Sequence, residues 1–189
     1  TNGAASAVDV LLRAGAKVDA LTAEDNATPL HLAVQLGDAG IESTEMLLRA
    51  DAPTEAVTSA GYTPLFFAAN LGSARLAELL LSHGSDANAA DSQGATPLYF
   101  AVRRGHEQVA SLLLHSGAKL NIATDDGISP LMAASSAGQA RCVRLLLDAG
   151  AIPMDTTKNG LTALHAAAES GSLDALRELL AHGMITDTS

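Results

Sequence analysis

Six histidines, one cysteine and two adjacent carboxylate pairs are where this chain could do chemistry. Structural zinc asks for four nitrogen or sulfur ligands. His31, His83, His106, His115, His165 and His182 form no pair at helix spacing with a third ligand. His165 and Glu169 are four residues apart, but that is one pair and no more. Glu24-Asp25 and Asp125-Asp126 could exchange protons only in a desolvated pocket that separates their pKa values, and both fall in turn segments that water reaches. Cys142 lies in an apolar stripe with Val143 and Leu146 and reads as a small buried hydrophobe. Ser135-Ser136 stand at helix positions, with no Gly-x-Ser-x-Gly elbow around them. The glycines are evenly spaced, so they build no phosphate cradle. These residues predict neither catalysis nor a metal nor a cofactor.

Composition narrows the class. The 189 residues are 48% hydrophobic and 17% charged, which suits a folded chain rather than a disordered one. No apolar run reaches the roughly 18–20 residues of a membrane-spanning helix, so no direct membrane insertion is expected. One cysteine rules out a disulfide scaffold and predicts an intracellular setting, cytoplasmic or nuclear. A net charge of −10 repels phosphate backbones, so nucleic acid is not an expected partner. Thirty-eight alanines against five aromatics predict closely approaching helices with thin Leu/Ala layers between them.

The positioning elements follow from an internal repeat. Thr28-Pro29-Leu30-His31-Leu32-Ala33 recurs at Thr63–Ala68, Thr96–Ala101, Ser129–Ala134 and Thr162–Ala167, with steps of 35, 33, 33 and 33. Leucine pairs at 47–48, 80–81, 113–114, 146–147 and 179–180 keep the 33-residue step, and an earlier pair stands at 11–12. Turn glycines at 61, 94, 127 and 160 keep it too, with Asn26 in the earlier place. Thr before Pro is a helix start, because the hydroxyl caps and proline at the first helical position lacks only a hydrogen that would go unused. That helix stops at Gly37, Gly72, Gly105, Gly138 or Gly171, and a second ends at Gly84, Gly117, Gly150 or Gly183. The segment between units, with Asn88, Asp91 and Asn121 at tight turns, reads as a hairpin-like finger.

This pattern closely resembles the ankyrin repeat over essentially the whole chain. The fold class implied is an all-α repeat solenoid of paired antiparallel helices with projecting β-hairpin-like fingers. One array over 1–189 is expected, with a partial repeat at 1–24 and repeats at about 25–58, 59–91, 92–124, 125–157 and 158–189. Ala163 replaces Pro, Asp51 replaces a helix-ending Gly, and Gly37–Glu42 holds two extra residues, so the second unit should have a longer inter-helix link. Gly3 stands where Gly105 does relative to the next helix-ending glycine, and Leu173, Leu176, Leu179 and Leu180 look internal rather than cap-like. Solenoid ends need polar caps, so the sequence is expected to be a fragment of a longer protein.

The resemblance implies a protein–protein interaction module, serving as scaffold, adaptor or assembly subunit. The alternative is the regulatory array of a larger enzyme or channel whose catalytic or membrane part lies outside these residues. It also implies that a partner meets the finger tips and the exposed side of each first helix along a concave face. On that face Leu36, Tyr62, Leu71, Ile128 and Leu161 are apolar where the repeat does not require it, and Arg103-Arg104 gather two of eleven basic residues. The expected partner-binding set is therefore these seven with Asn70, Asp125 and Asp126. Its partner would be a protein or peptide with an apolar anchor near Tyr62 and Leu71 and an acidic group near the arginines. His31 and His165 are implied to bond between helix start and neighbouring finger, and Asn88 and Asn121 to be sites of asparaginyl hydroxylation.

Overall fold

The structure, a computed structural model, describes residues 3–182. Among them eleven helices form and no strand: α1 Gly3–Arg13, α2 Pro29–Gln35, α3 Ile41–Arg49, α4 Pro64–Leu71, α5 Ala74–Ser82, α6 Pro97–Arg104, α7 Glu107–His115, α8 Pro130–Ser136, α9 Ala140–Asp148, α10 Ala163–Ser170 and α11 Leu173–Ala181. The even-numbered helices from α2 to α10 pack in one row and the odd-numbered helices in a second. Gly183, expected to end the last helix, lies outside the described residues.

Each first helix starts as its sequence dictates. Thr28, Thr63, Thr96, Ser129 and Thr162 sit in extended backbone, and each hydroxyl accepts from the N–H three residues on. α10 keeps the cap although Ala163 stands in place of proline. Left-handed backbone then stops the helices and turns the fingers, and where glycine is missing Asp51 bears the strain at a helix stop and Asn26 at a finger turn. Asn26 and Asp51 both take φ 58°, and short polar side chains tolerate that region best among non-glycine residues. The two extra residues after Gly37 form a 3-10 turn, Gly37–Gly40. A side chain at Gly40 would collide with the Ala33 carbonyl, so only glycine lets this turn close. Gly3, in the register of Gly105, is the first described residue and lies within α1.

The core is a stack of thin layers. Leu30, Leu65, Leu98 and Leu131 from the first helices meet Leu47, Leu80, Leu113 and Leu146 from the second, all nearly or wholly buried. Burying each such side chain contributes about 2 kcal/mol. Ala68, Ala101, Ala134 and Ala167 are fully buried where the first helices face one another, and their small size sets the close spacing. The fingers are linked tip to tip by main-chain bonds. Ser59 N–H donates to Asp25 O, Ser92 to Ala60, Asp125 to Gln93 and Lys158 to Asp126.

One layer is polar. Ser43 and Thr44 occupy the α3 places held by Leu76-Ala77, Val109-Ala110 and Cys142-Val143 in later units. Both are buried, and their hydroxyls find no hydrogen-bond partner among the described residues. A buried hydroxyl without a partner costs about 1–3 kcal/mol. Thr44→Val keeps the shape and removes that cost, so urea unfolding is expected to shift to higher denaturant by about 1 kcal/mol. An unchanged or lower midpoint would show that the hydroxyl is satisfied.

Candidate functional site

The candidate site, as expected from the sequence, lies on the first helices and the fingers that precede them. His31 shows how finger and helix are fastened. Its Nδ1 accepts from the Thr28 N–H at 3.0 Å, which leaves Nε2–H to donate to the Tyr62 carbonyl of the next finger at 3.0 Å. Burial pushes the His31 pKa down, so the ring is held in its neutral form. His165 repeats the cap with Thr162 but is exposed, with no finger bonded to it among the described residues.

That clamp places Tyr62 in a network containing every aromatic residue of the chain. Tyr62 stacks on Phe66 with ring centroids 3.8 Å apart, and Phe66 meets Phe100 edge-on at 4.4 Å. Phe67 and Tyr99 complete the group through Phe66 and Phe100. Along one side of the cluster, equivalent places one repeat apart carry Leu32, Phe67, Phe100, Ala133 and Ala166. One turn later stand Leu36, Leu71, Arg104, Ala137 and Ser170. Leu36 and Leu71 are 53% and 45% exposed, so neither is covered by a neighbouring helix.

Where the row changes from phenylalanine to alanine, the surface falls into an open cleft of about 420 Å³. Tyr99, Ile128, Met132 and Leu161 supply apolar walls, and Arg103 and Glu169 stand among its lining residues. The expected binding set is thereby divided. Ile128, Leu161 and Arg103 meet in the cleft; Tyr62 belongs to the aromatic ridge, with Leu36 and Leu71 on the preceding first helices. The arginines diverge, because Arg104 Nε donates to Asn70 Oδ1 at 3.2 Å while Arg103 lines the cleft. The Asn70 carbonyl accepts from His106 Nε2 at 3.1 Å, so Asn70 is occupied within the array. Asp125 and Asp126 are exposed at a finger tip. Phe66, Phe67, Phe100, Met132 and Glu169 were not among the expected set. Aligning the units at their 33-residue step and reading down each column would have found them.

The two asparagines differ. Asn88 Oδ1 accepts from the Lys119 N–H at 2.8 Å and Nδ2 donates to the Gly117 carbonyl at 3.1 Å, so both ends of its amide bridge to the next unit. Asn121 makes one longer bond, from the Ile152 N–H at 3.4 Å, and is more exposed. Four other titratable groups shift for local reasons. Burial raises the Cys142 thiol to about 11, far from a thiolate at neutral pH. Asp25 is lowered by the Thr22 hydroxyl and the Ala27 N–H, and burial raises Glu55. His182 is raised by its hydrogen bond to Asp148, at 2.8 Å. No group of three His, Cys, Asp or Glu residues among those described could hold a metal ion. None of the described helices is long and apolar enough to cross a membrane.

Capped helix pairs, left-handed stops and tip-linked fingers repeated in phase define a helical repeat solenoid. The family model for ankyrin repeats matches three times, over residues 1–91, 39–124 and 120–188, and the chain belongs to the ankyrin-repeat family. Ankyrin repeats are in general protein–protein interaction modules. A 70-residue stretch is 41% identical to the nuclear factor NF-kappa-B p105 subunit of Mus musculus, covering 37% of this chain and 7% of that protein.

The His31 clamp gives a pH signature. His31 stays neutral in the folded array below 6.5, its ordinary value, whereas the unfolded chain takes up that proton. Its contribution is therefore full above pH 6.5 and lost as pH falls through that value. Between pH 7.5 and 5.5 the parent chain should lose more stability than His31→Gln. His182 contributes with the opposite sign in both proteins and cancels in the comparison. Equal losses, measured by urea unfolding at the two pH values, would show that the clamp does not exclude the proton.

Proposed function

We propose that this array recognises a partner protein or peptide on the face formed by its first helices and fingers, as a scaffold, adaptor or assembly subunit. One observation carries the reading: the half-buried rings of Tyr62, Phe67 and Phe100, backed by buried Phe66 and Tyr99, lie on the first-helix side, where Leu36 and Leu71 stand exposed. Leu36, Tyr62 and Leu71 supply an apolar ridge, and Ile128 and Leu161 a cleft. Arg103 and Arg104 offer the positive charge that an acidic partner group would meet in an otherwise negative chain, whose −10 charge disfavours nucleic acid. Asp125 and Asp126 lie at the rim, where charge guides encounter more than it adds affinity. The single buried thiol accords with a cytoplasmic or nuclear setting. In the mouse relative the matched stretch is a small share of a long protein. Work within a larger chain or complex, including regulation of an attached enzyme or channel, draws on that.

The test compares the native chain with the quadruple variant Tyr62→Ala, Leu71→Ala, Arg103→Glu, Arg104→Glu, both checked for helix content by circular dichroism. Affinity capture from the source extract should yield a partner held by the native chain and reduced at least tenfold on the variant. Equal retention by both would move the interface off this face. Of the two asparagines, Asn121 is the one whose amide can turn outward, and we place hydroxylation there ahead of Asn88. Intact-mass and fragment analysis of chain from its source should locate one added oxygen atom at Asn121, and oxygen at Asn88 alone would reverse the order.

A further inference from the structure

Resting on that reading of the face, we propose that the cleft selects a linear peptide with a large aliphatic side chain flanked by one acidic and one basic residue. The acidic residue faces Arg103 and the basic residue faces Glu169. The cleft is made by subtraction. Ala133 and Ala166 occupy the places where Phe67 and Phe100 fill the preceding units, so the wall drops back by one ring in each of two successive repeats. What remains is lined by Tyr99, Ile128, Met132 and Leu161, a surface that gains from burying an aliphatic group.

The charges set the rest. Arg103 and Glu169 hold equivalent places two units apart, with Ser136 between them. Both are exposed, and among the described residues neither has an ion pair or side-chain hydrogen bond. Packed helices lie about 8–10 Å apart, so the two charges are separated by roughly 16–20 Å. An extended peptide advances about 3.3 Å per residue and covers that distance in about five or six residues. The anchor therefore sits near the middle of the stretch, with one charge on either side. Exposed pairs of this kind give small increments and choose orientation, whereas the desolvated anchor supplies most of the affinity.

Binding to the full 189-residue chain is measured by fluorescence anisotropy. The probes are a labelled peptide with Asp first, Leu central and Lys last, separated by serines, and its reverse. One order should bind several-fold better than the other, and replacing the central Leu with Ala should weaken it more than tenfold. The double variant Arg103→Glu, Glu169→Arg exchanges the two charges, so it should reverse the preferred order while leaving the anchor intact. Ala166→Phe restores the profile of the preceding units and should abolish binding without loss of helix content. Three results would overturn the proposal: no binding of either peptide at millimolar concentration, equal binding of the Leu and Ala peptides, or an order preference unmoved by the charge exchange. If Ala166→Phe leaves the captured partner bound while the quadruple variant loses it, the cleft proposal fails and the face proposal stands. Loss of neither partner nor peptide in these variants defeats both.

Discussion

The leucines of each two-helix unit are covered by the units on either side as well as by their own helix pair. Leu65 and Leu80 reach full burial because α2 and α3 lie against one side of α4 and α5, and α6 and α7 against the other. A single unit, stripped of neighbours, would leave much of that surface in water, so the unit is stable only as a member of a row. The regular features serve this stacking. Left-handed stops hold the helices to one length, hydroxyl caps fix where they begin, and fully buried alanines let successive first helices approach. A longer side chain at Ala68 or Ala101 would push the layers apart.

Stacking also divides labour within each unit. The side chains that meet a neighbour are settled by packing, and those on the outward turn of the first helix are free of it. Polar groups are shared along the same boundary. His31 ties its helix to the next finger, His106 reaches back to Asn70, and the Asn88 amide bridges to the following unit. His31 and His182 thus use both ring nitrogens to join two elements, whereas His83, His115 and His165 bond within their own helix among the described residues.

The repeat, the helix limits and the capping hydroxyls were legible in the residues because each has a local cause that recurs in phase. The long link after Gly37 was legible from two surplus residues, and its tight 3-10 form follows from Gly40 beside Ala33. The face was less so, for two reasons. Arg103 and Arg104 are adjacent in sequence, but neighbours on a helix point about 100° apart. One therefore turns into the cleft and the other toward Asn70. Second, the contacts that shape the face join residues a full repeat apart, such as Phe66 with Phe100. No window along the chain holds both partners of such a pair.

Ala133 stands where Phe67 and Phe100 do in the preceding units, yet Leu131 beneath it stays buried like Leu65 and Leu98. The address of the cleft along the solenoid is thus written in side-chain volume at one column of outward positions. Exchanging bulk between repeats would move the hollow by a whole unit, at a packing cost, because Phe67 and Phe100 also rest against buried neighbours. The position of the hollow and the packing of the scaffold are therefore linked through those two rings.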